Sequence, residues 1–244
     1  NIKPLNILDL GAGTGRNGLN LRKKYQKSKI INIDFSEEML NVAKKKNKSY
    51  FLDKINQSPY RYICADIEAI PIIENSIDLV WSSSSIQWCN DLPLVFRQIR
   101  NILKPGGLFI FSTFGPNTLN ELRQVTEDLF GKQKTNLFVD MHNIGDLLIS
   151  SGFSDPVLDI ENFTMTYQDI KKLFMDIKGI GATSGNHNQN KGFLGKSFIH
   201  KMIDKYESYR INGLLPATYE VIYGHAWNIP KVIPEYQPIK FKNE

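Results

Sequence analysis

The chain of 244 residues is 41% hydrophobic and 23% charged, with 30 Lys+Arg against 25 Asp+Glu, the composition of one globular domain rather than a disordered, fibrous or membrane-spanning chain. No apolar run approaches the ~18–20 residues of a membrane span, no charged-then-apolar leader opens the sequence, and two cysteines, Cys64 and Cys89, are too few for a disulfide framework or a metal cluster, so the expected setting is a reducing cytoplasm. Charge is lobed, with 12 Lys+Arg against 5 Asp+Glu in residues 1–60, 7 against 13 in 61–167 and 11 against 7 in 168–244; without an Arg-rich tract this excludes nucleic acid as the expected partner and leaves room for an acidic one.

Strands and helices alternate through the first two thirds. Asn6–Leu10 reads as a buried strand, followed by a glycine-rich turn and a helix over Asn17–Tyr25. A second strand, Ile30–Asp34, leads to Ser36, a hydroxyl cap with Glu37 and Glu38 in the first turn of a helix reaching Lys46. Arg61–Ala65 and Ile77–Ser82 are the third and fourth strands. A helix over Leu92–Leu103 is stopped by Lys104-Pro-Gly-Gly107, which turns the chain into a fifth strand, Leu108–Thr113. This order predicts a doubly wound, mainly parallel, Rossmann-like seven-stranded sheet with helices on both faces. Past Phe114 the rhythm changes. Helices around Leu119–Phe130 and Asn143–Ser151 precede a strand near Val157–Phe163. A helical stretch then runs from Tyr167 to about Arg210, broken by a Gly/Asn-rich loop at Gly185–Gly192, before a last strand at Ala217–Trp227. The helices read as an insertion, about residues 164–216, ahead of the last strand. The whole is expected to be one domain, with residues 1–115 binding a cofactor and 116–244 facing the substrate.

The turn L8DLGAGTGRNG18 fits two nucleotide-binding patterns. Gly13, Gly15 and Gly18 match a dinucleotide turn; Asp9, Gly11, Gly13 and Gly15 match an S-adenosylmethionine turn. Both use glycine to bring the backbone close to a ligand at a helix N-terminus. Asp34 at the end of strand two suits ribose hydroxyls in either case. Asp66 at the end of strand three separates them: it can bond an adenine amino group while Ile67 packs on the ring. Asp9 suits a charged amino-acid tail and would repel a pyrophosphate. One such acid is commonly a solvated strand-end carboxylate, but three at successive strand ends point to S-adenosylmethionine, with no metal.

The order D9LGAGTG15, I33DFSEEML40, C64ADIEAIPI72, D78LVWSSSSIQW88 and L103KPGG107 resembles the class I S-adenosylmethionine-dependent methyltransferases. G115PNTLNELR123, V139DMHNIGDLLISSGF153, M175DIKGIGA182 and L215PATYEVIYGHAW227 narrow the resemblance to the malonyl-[acyl-carrier protein] O-methyltransferases of biotin synthesis. The resemblance implies ribose and adenine contacts at Asp34, Phe35 and Met39, and an active-site loop at Ser82 to Ser84. It also implies an acceptor that is an acidic malonyl-acyl-carrier protein or malonyl-coenzyme A. Such enzymes carry an N-terminal helical lid, whereas this sequence opens directly before its first strand. Two related alternatives stay open, a methyltransferase of a quinone-type small molecule and a non-methylating assembly hydroxylase.

A malonyl carboxylate is ionised at neutral pH, so methylating it needs alignment and dryness rather than a general base. Its expected cationic partner is Arg123, the plain alternative being a solvated helix arginine. Gln87 and Trp88 are expected to line the acceptor channel, or Trp88 to be merely buried. His142 is expected to cap the helix that follows it, and His225 to be a packed core histidine. Residues 168–212 carry eight cations against four acids, with Lys201 and Lys205 on one helical face; this face is the expected docking surface for the carrier, a solvated lysine face being the alternative.

Overall fold

The computed structural model describes residues 2–50, 58–131, 138–179 and 196–229. The strands are β1 (Asn6–Leu10), β2 (Lys29–Asp34), β3 (Tyr60–Cys64), β4 (Ile77–Ser83), β5 (Leu103–Phe114), β6 (Ser154–Tyr167) and β7 (Leu215–Asn228). The helices are α1 (Arg16–Lys24), α2 (Glu37–Tyr50), α3 (Leu92–Ile102), α4 (Asn120–Phe130), α5 (Met141–Ser150), α6 (Ile170–Gly179) and α7 (Lys196–Tyr206). The sheet order is β3-β2-β1-β4-β5-β7-β6. β1 to β5 pair in parallel, and β7 runs antiparallel to both of its neighbours. Because β2 and β4 flank β1 on opposite sides, the order reverses there, and a crevice opens at the carboxyl ends of these strands.

The short central strands are apolar on both sides because both of their faces are covered. On one face, Val95, Phe96 and Ile99 of α3 and Ile144 and Leu148 of α5 pack against Leu8, Leu10, Val80, Phe109, Phe111 and Ile222. On the other, Leu21 of α1 joins Ile7, Ile30, Leu79 and Leu108. A separate cluster joins Val125 of α4, Leu173 of α6 and Met202 and Tyr206 of α7 to Tyr167 and Leu215 at the facing ends of β6 and β7. The inserted helices therefore form a small cap with its own core above the strand ends.

Several boundaries differ from the sequence reading. Thr164–Tyr167 pairs with Thr218–Leu215, so β6 continues to Tyr167 and the insertion narrows to residues 168–214. Leu103 pairs with Ile77 before the Lys104–Gly107 kink, and the ladder resumes at Leu108 with Leu79, which carries β5 back to Leu103. Asn228 makes this possible: its side-chain amide donates to the Leu103 carbonyl at 2.8 Å, capping the end of α3 from the last residue of β7. The Gly185–Gly192 loop and Ile180–Ala182 of the D-x-K-G-I-G-A motif lie outside the described residues.

Candidate active site

The glycine turn leaves β1 with Gly11, Gly13 and Gly15 all at positive φ, 76°, 52° and 76°, a region that side chains with a Cβ avoid. Gly11 has a second reason to be glycine. A Cβ there would lie 2.2 Å from Ser85 Oγ, so the loop after β4 closes directly on the turn. The amides of Gly11 and Ala12 both donate to the Ile33 carbonyl at 2.9 Å, fastening the turn to the end of β2. A Cβ on Gly13 would meet nothing within 4 Å; the turn presents its backbone to open space there.

Asp34 closes this cradle. One carboxylate oxygen accepts the Gly13 amide at 2.7 Å and the other accepts Ser36 N–H at 2.9 Å. Each oxygen keeps a second acceptor lobe for an incoming hydroxyl. Beside it, Phe35 and Met39 are exposed, Phe35 to 78%. With Met39 and Val42, 44% and 40% exposed, this ring leaves apolar surface uncovered at the start of α2. Ser36 accepts the Met39 amide and starts α2 as its hydroxyl predicts.

Asp66 follows β3, exposed, and its Oδ1 accepts the Glu68 amide at 2.8 Å in a tight turn. Ile67 reaches back, its Cδ1 lying 3.7 Å from where a Gly11 Cβ would stand. The next carboxylate, Glu68, accepts the backbone amides of Asn90 and Asp91. Gln98 of α3 donates to the Glu68 carbonyl at 2.6 Å and accepts the Ile70 amide at 2.9 Å. The loops after β3 and β4 are thereby tied together. Burial, with Glu68 and Asp66 close by, pushes the Cys89 thiol up to about 12, so it stays protonated and takes no part as a nucleophile. Glu68 and Gln98 escaped sequence reasoning because their partners are backbone groups about 20 to 30 residues away.

Gln87 and Trp88 occupy the 3₁₀ turn Ile86–Trp88 after β4, both half-buried, and Gln87 accepts the Thr113 hydroxyl at 3.3 Å. The turn is anchored by Ser85, whose hydroxyl donates within reach of the Leu10 and Ser83 carbonyls.

Two expected residues are not brought to the open cleft. Ser82 lies inside β4, fully buried, with no hydrogen-bond partner for its hydroxyl; Ser84 and Ser85 take the strand end instead. Asp9 is also fully buried, with no well-formed hydrogen bond to either oxygen, and it sits beneath the turn rather than on its open side. Burial pushes its carboxyl up to about 7; the Gly18 amide pulls the other way and the charge of Asp34 adds to the rise.

Beyond β5 the chain is pinned to β7. The Gly115 and Leu119 amides donate to the Glu220 and Thr218 carbonyls at 2.9 and 2.6 Å. Glu121 accepts both the amide and the hydroxyl of Thr218, and Glu220 accepts the Asn117 side-chain amide at 2.6 Å. The G-P-N-T-L-x-E-L-R and P-A-T-Y-E segments are thus the two halves of one clamp. Within it, Arg123 is half-buried and one terminal nitrogen donates to the Thr118 carbonyl at 2.8 Å. Its Nε is buried without a partner, and none of the ion pairs among the described residues includes it. His142 is exposed, and Asp140 caps α5 instead, accepting the His142 amide. His225 is half-buried on β7 beside Ile110 and Val157. Among the described residues no His/Cys/Asp/Glu group could hold a metal, and no helix is long and apolar enough to cross a membrane.

The geometry is that of a Rossmann-like nucleotide cradle at the carboxyl ends of the strands, with Arg123, outside the ion pairs of the described residues, in the clamp that joins the end of β5 to β7. Comparison with known proteins agrees. Residues 8–111 match the family model described as a methyltransferase domain. A malonyl-[acyl-carrier protein] O-methyltransferase of Gallionella capsiferriformans is 42% identical over 226 residues, covering 93% of this chain and 78% of that one. One from Methylovorus is 44% identical over 227 residues, covering 93% and 76%. The crystal structure of the YcgJ protein of Bacillus subtilis superposes with a TM-score of 0.65 at 15% identity, covering 93% of each chain, which speaks to the fold alone.

Proposed function

The chain belongs to the malonyl-[acyl-carrier protein] O-methyltransferases, and from that premise we propose that it methylates the free carboxylate of a malonyl thioester on an acyl-carrier protein, with S-adenosylmethionine as donor, in the cytoplasm, as an early step toward the pimeloyl chain of biotin. Malonyl-coenzyme A, which carries the same carboxylate on the same thioester, is the alternative acceptor. Residues 1–115 serve the donor and 116–244 the acceptor.

The cradle suits the donor. Gly13 leaves open space where a ligand would lie, Asp34 keeps acceptor capacity for two ribose hydroxyls, and Asp66 and Ile67 offer an acceptor and an apolar wall for adenine. S-adenosylmethionine supplies a methyl group on a sulfonium, whose departure as a neutral thioether leaves the protein only alignment and water exclusion to provide. A malonyl carboxylate oxygen is already ionised and forms the new bond without surrendering a proton. The Arg123 guanidinium holds that carboxylate, and Gln87 and Trp88 line its approach.

The observation that carries this reading is the buried Nε of Arg123, a donor of a charged group with no partner for that nitrogen, near the start of α4. An orphaned charged donor is costly, and a carboxylate ligand would satisfy it. The test is methyl transfer to malonyl-carrier protein beside malonyl-coenzyme A, acetyl-carrier protein, whose acyl group has no carboxylate, and a quinone precursor. Malonyl-carrier protein should be strongly preferred, and Arg123→Ala should lower its kcat/KM by about tenfold or more, the loss of one charge-assisted bond, while the affinity for S-adenosylhomocysteine holds. Methylation of the quinone precursor in preference to the malonyl thioesters would defeat the proposal.

A further inference from the structure

A groove of about 500 Å³ runs along the same edge of the sheet as the glycine turn, on the cap side, a volume typical of small-molecule sites. Its floor begins at Phe114, where β5 ends. Phe114 stands opposite Val221, and Tyr219 stands opposite Phe163, which puts all four side chains on one face of the sheet. The Phe114 and Tyr219 rings are 6.0 Å apart. Met165 continues the floor along β6, and Met175 of α6 forms the opposite wall. Met165 and Met175 are 51% and 63% exposed and Phe163 38%, a concentration of uncovered apolar surface at one edge.

The polar groups in the groove are few and of one kind. The Tyr167 hydroxyl meets the hydroxyl of Tyr219 and the carboxylate of Asp176, and burial raises the pKa of both tyrosines, so they remain hydroxyls. Among the described residues no Lys or Arg lines the groove. A carboxylate ligand would face Asp176 with nothing to offset it. A bare hydrocarbon chain would offer nothing to the Tyr219 proton or to the spare acceptor lobes of Asp176, whose other contacts are with Tyr167. A neutral chain with amide groups at intervals suits both, since its N–H groups have an acceptor in Asp176 and its carbonyls a donor in the Tyr219 hydroxyl. From Phe163 to Tyr167 the floor spans about 13 Å of extended strand, which accommodates an elongated ligand.

We propose that this groove holds the pantetheine arm of the acceptor thioester, running from the cap to the strand ends where the malonyl group reacts. The assignment rests on the malonyl-thioester reading above and adds to it a determinant of acceptor length. Met165 and Met175 project from the surface, so replacing both with glutamine removes apolar wall without disturbing the fold, which a thermal melt verifies. The kcat/KM ratio of malonyl-pantetheine to malonyl-N-acetylcysteamine, the same malonyl group on a truncated arm, should fall about tenfold in Met165→Gln/Met175→Gln. A ratio that does not change, or equal losses on both acceptors, overturns the groove. Acetyl-pantetheine, which has no carboxylate to methylate, separates this proposal from the proposed function. The unaltered protein loaded with S-adenosylhomocysteine should bind it in calorimetric titration, and the double variant about tenfold more weakly. Binding without methylation of any malonyl thioester would sink the function and leave the groove standing; no binding by the unaltered protein, or displacement by dodecanoate alone, would sink the groove.

Discussion

Asp34 accepts two backbone amides at once, from the glycine turn and from the start of α2, so it shapes the cradle as well as offering itself to a ligand. Asp66 is exposed and holds only its own turn. Asp34→Ala should therefore weaken S-adenosylhomocysteine binding more than Asp66→Ala, each by about tenfold or more, since bonds to a charged acceptor contribute roughly 1.5–3 kcal/mol; titration calorimetry reads both, and an unchanged affinity in either variant removes that residue from the site. Asp9 makes a different prediction. Its carboxyl is held at about 7 against an ordinary 3.8, so between those values the folded protein binds a proton that the unfolded chain has released. The stability this contributes is complete below the unfolded value and is lost as pH rises through the folded one. Asp9→Asn cannot titrate. In urea unfolding, the wild type should lose stability relative to Asp9→Asn as pH rises from about 4 to about 7. The carboxyl of Asp78, lowered by Lys104 and the backbone amides of Asn6 and Leu5 despite its partial burial, slopes the other way but is common to both proteins and drops out of the comparison. Parallel curves would mean that Asp9 is ionised in the fold.

At the scale of elements, what the sequence makes legible is what is local. The apolar run Asn6–Leu10, the Ser36 cap with its two glutamates and the Pro-Gly-Gly stop after α3 each carry their cause within a few residues, and each element is present where its pattern lies. The antiparallel β7 was visible as a strand, but its place between β5 and β6 depends on the inserted helices returning the chain across the sheet, which no local pattern encodes. The same division runs through the site. Asp34 and Asp66 are legible because the ends of parallel strands in such a sheet gather on one edge. Ser82 lies inside β4 rather than in the loop after it because motif spacing gives a position along the chain and says nothing of which way a side chain turns. Asp140 rather than His142 caps α5 because a carboxylate directly before a helix accepts the free amides, whereas a histidine inside the first turn already has a helical backbone. The Glu121–Thr218 and Glu220–Asn117 contacts span about a hundred residues; the two segments stood out in the sequence, yet only the fold shows that they grip each other.

Over the whole molecule, two packed units share one sheet: the layered core around β1, β4 and β5, and the cap of α4, α6 and α7 over the ends of β6 and β7. The larger cationic surplus lies in residues 1–60, 12 against 5, but the inserted segment 168–212 carries its own, eight against four, where an acidic carrier protein would have to approach if its arm enters the groove. The pair expected to receive it is not equivalent, however. Met202 and Tyr206 turn inward, which leaves Lys201 and Lys205 outward one turn apart, but Lys205 is already bound to Asp128 of α4 at 2.6 Å. Exposed pairs of this kind contribute little to stability, but Asp128 already offsets the charge of Lys205, and Lys201, which is exposed, is the better placed to meet a partner's carboxylate. Complementary charge acts chiefly on encounter rate and register, and salt weakens it over a screening length of about 10 Å at 0.1 M. Lys201→Glu should therefore raise the KM for malonyl-carrier protein severalfold at low salt, an effect that shrinks as salt is added, and should raise it more than Lys205→Glu does. The KM for malonyl-pantetheine, which has no carrier to dock, is the control. Equal rises on carrier-bound and carrier-free acceptors would place the lysine in the pocket or the fold, and no rise on either would put the carrier on a different face.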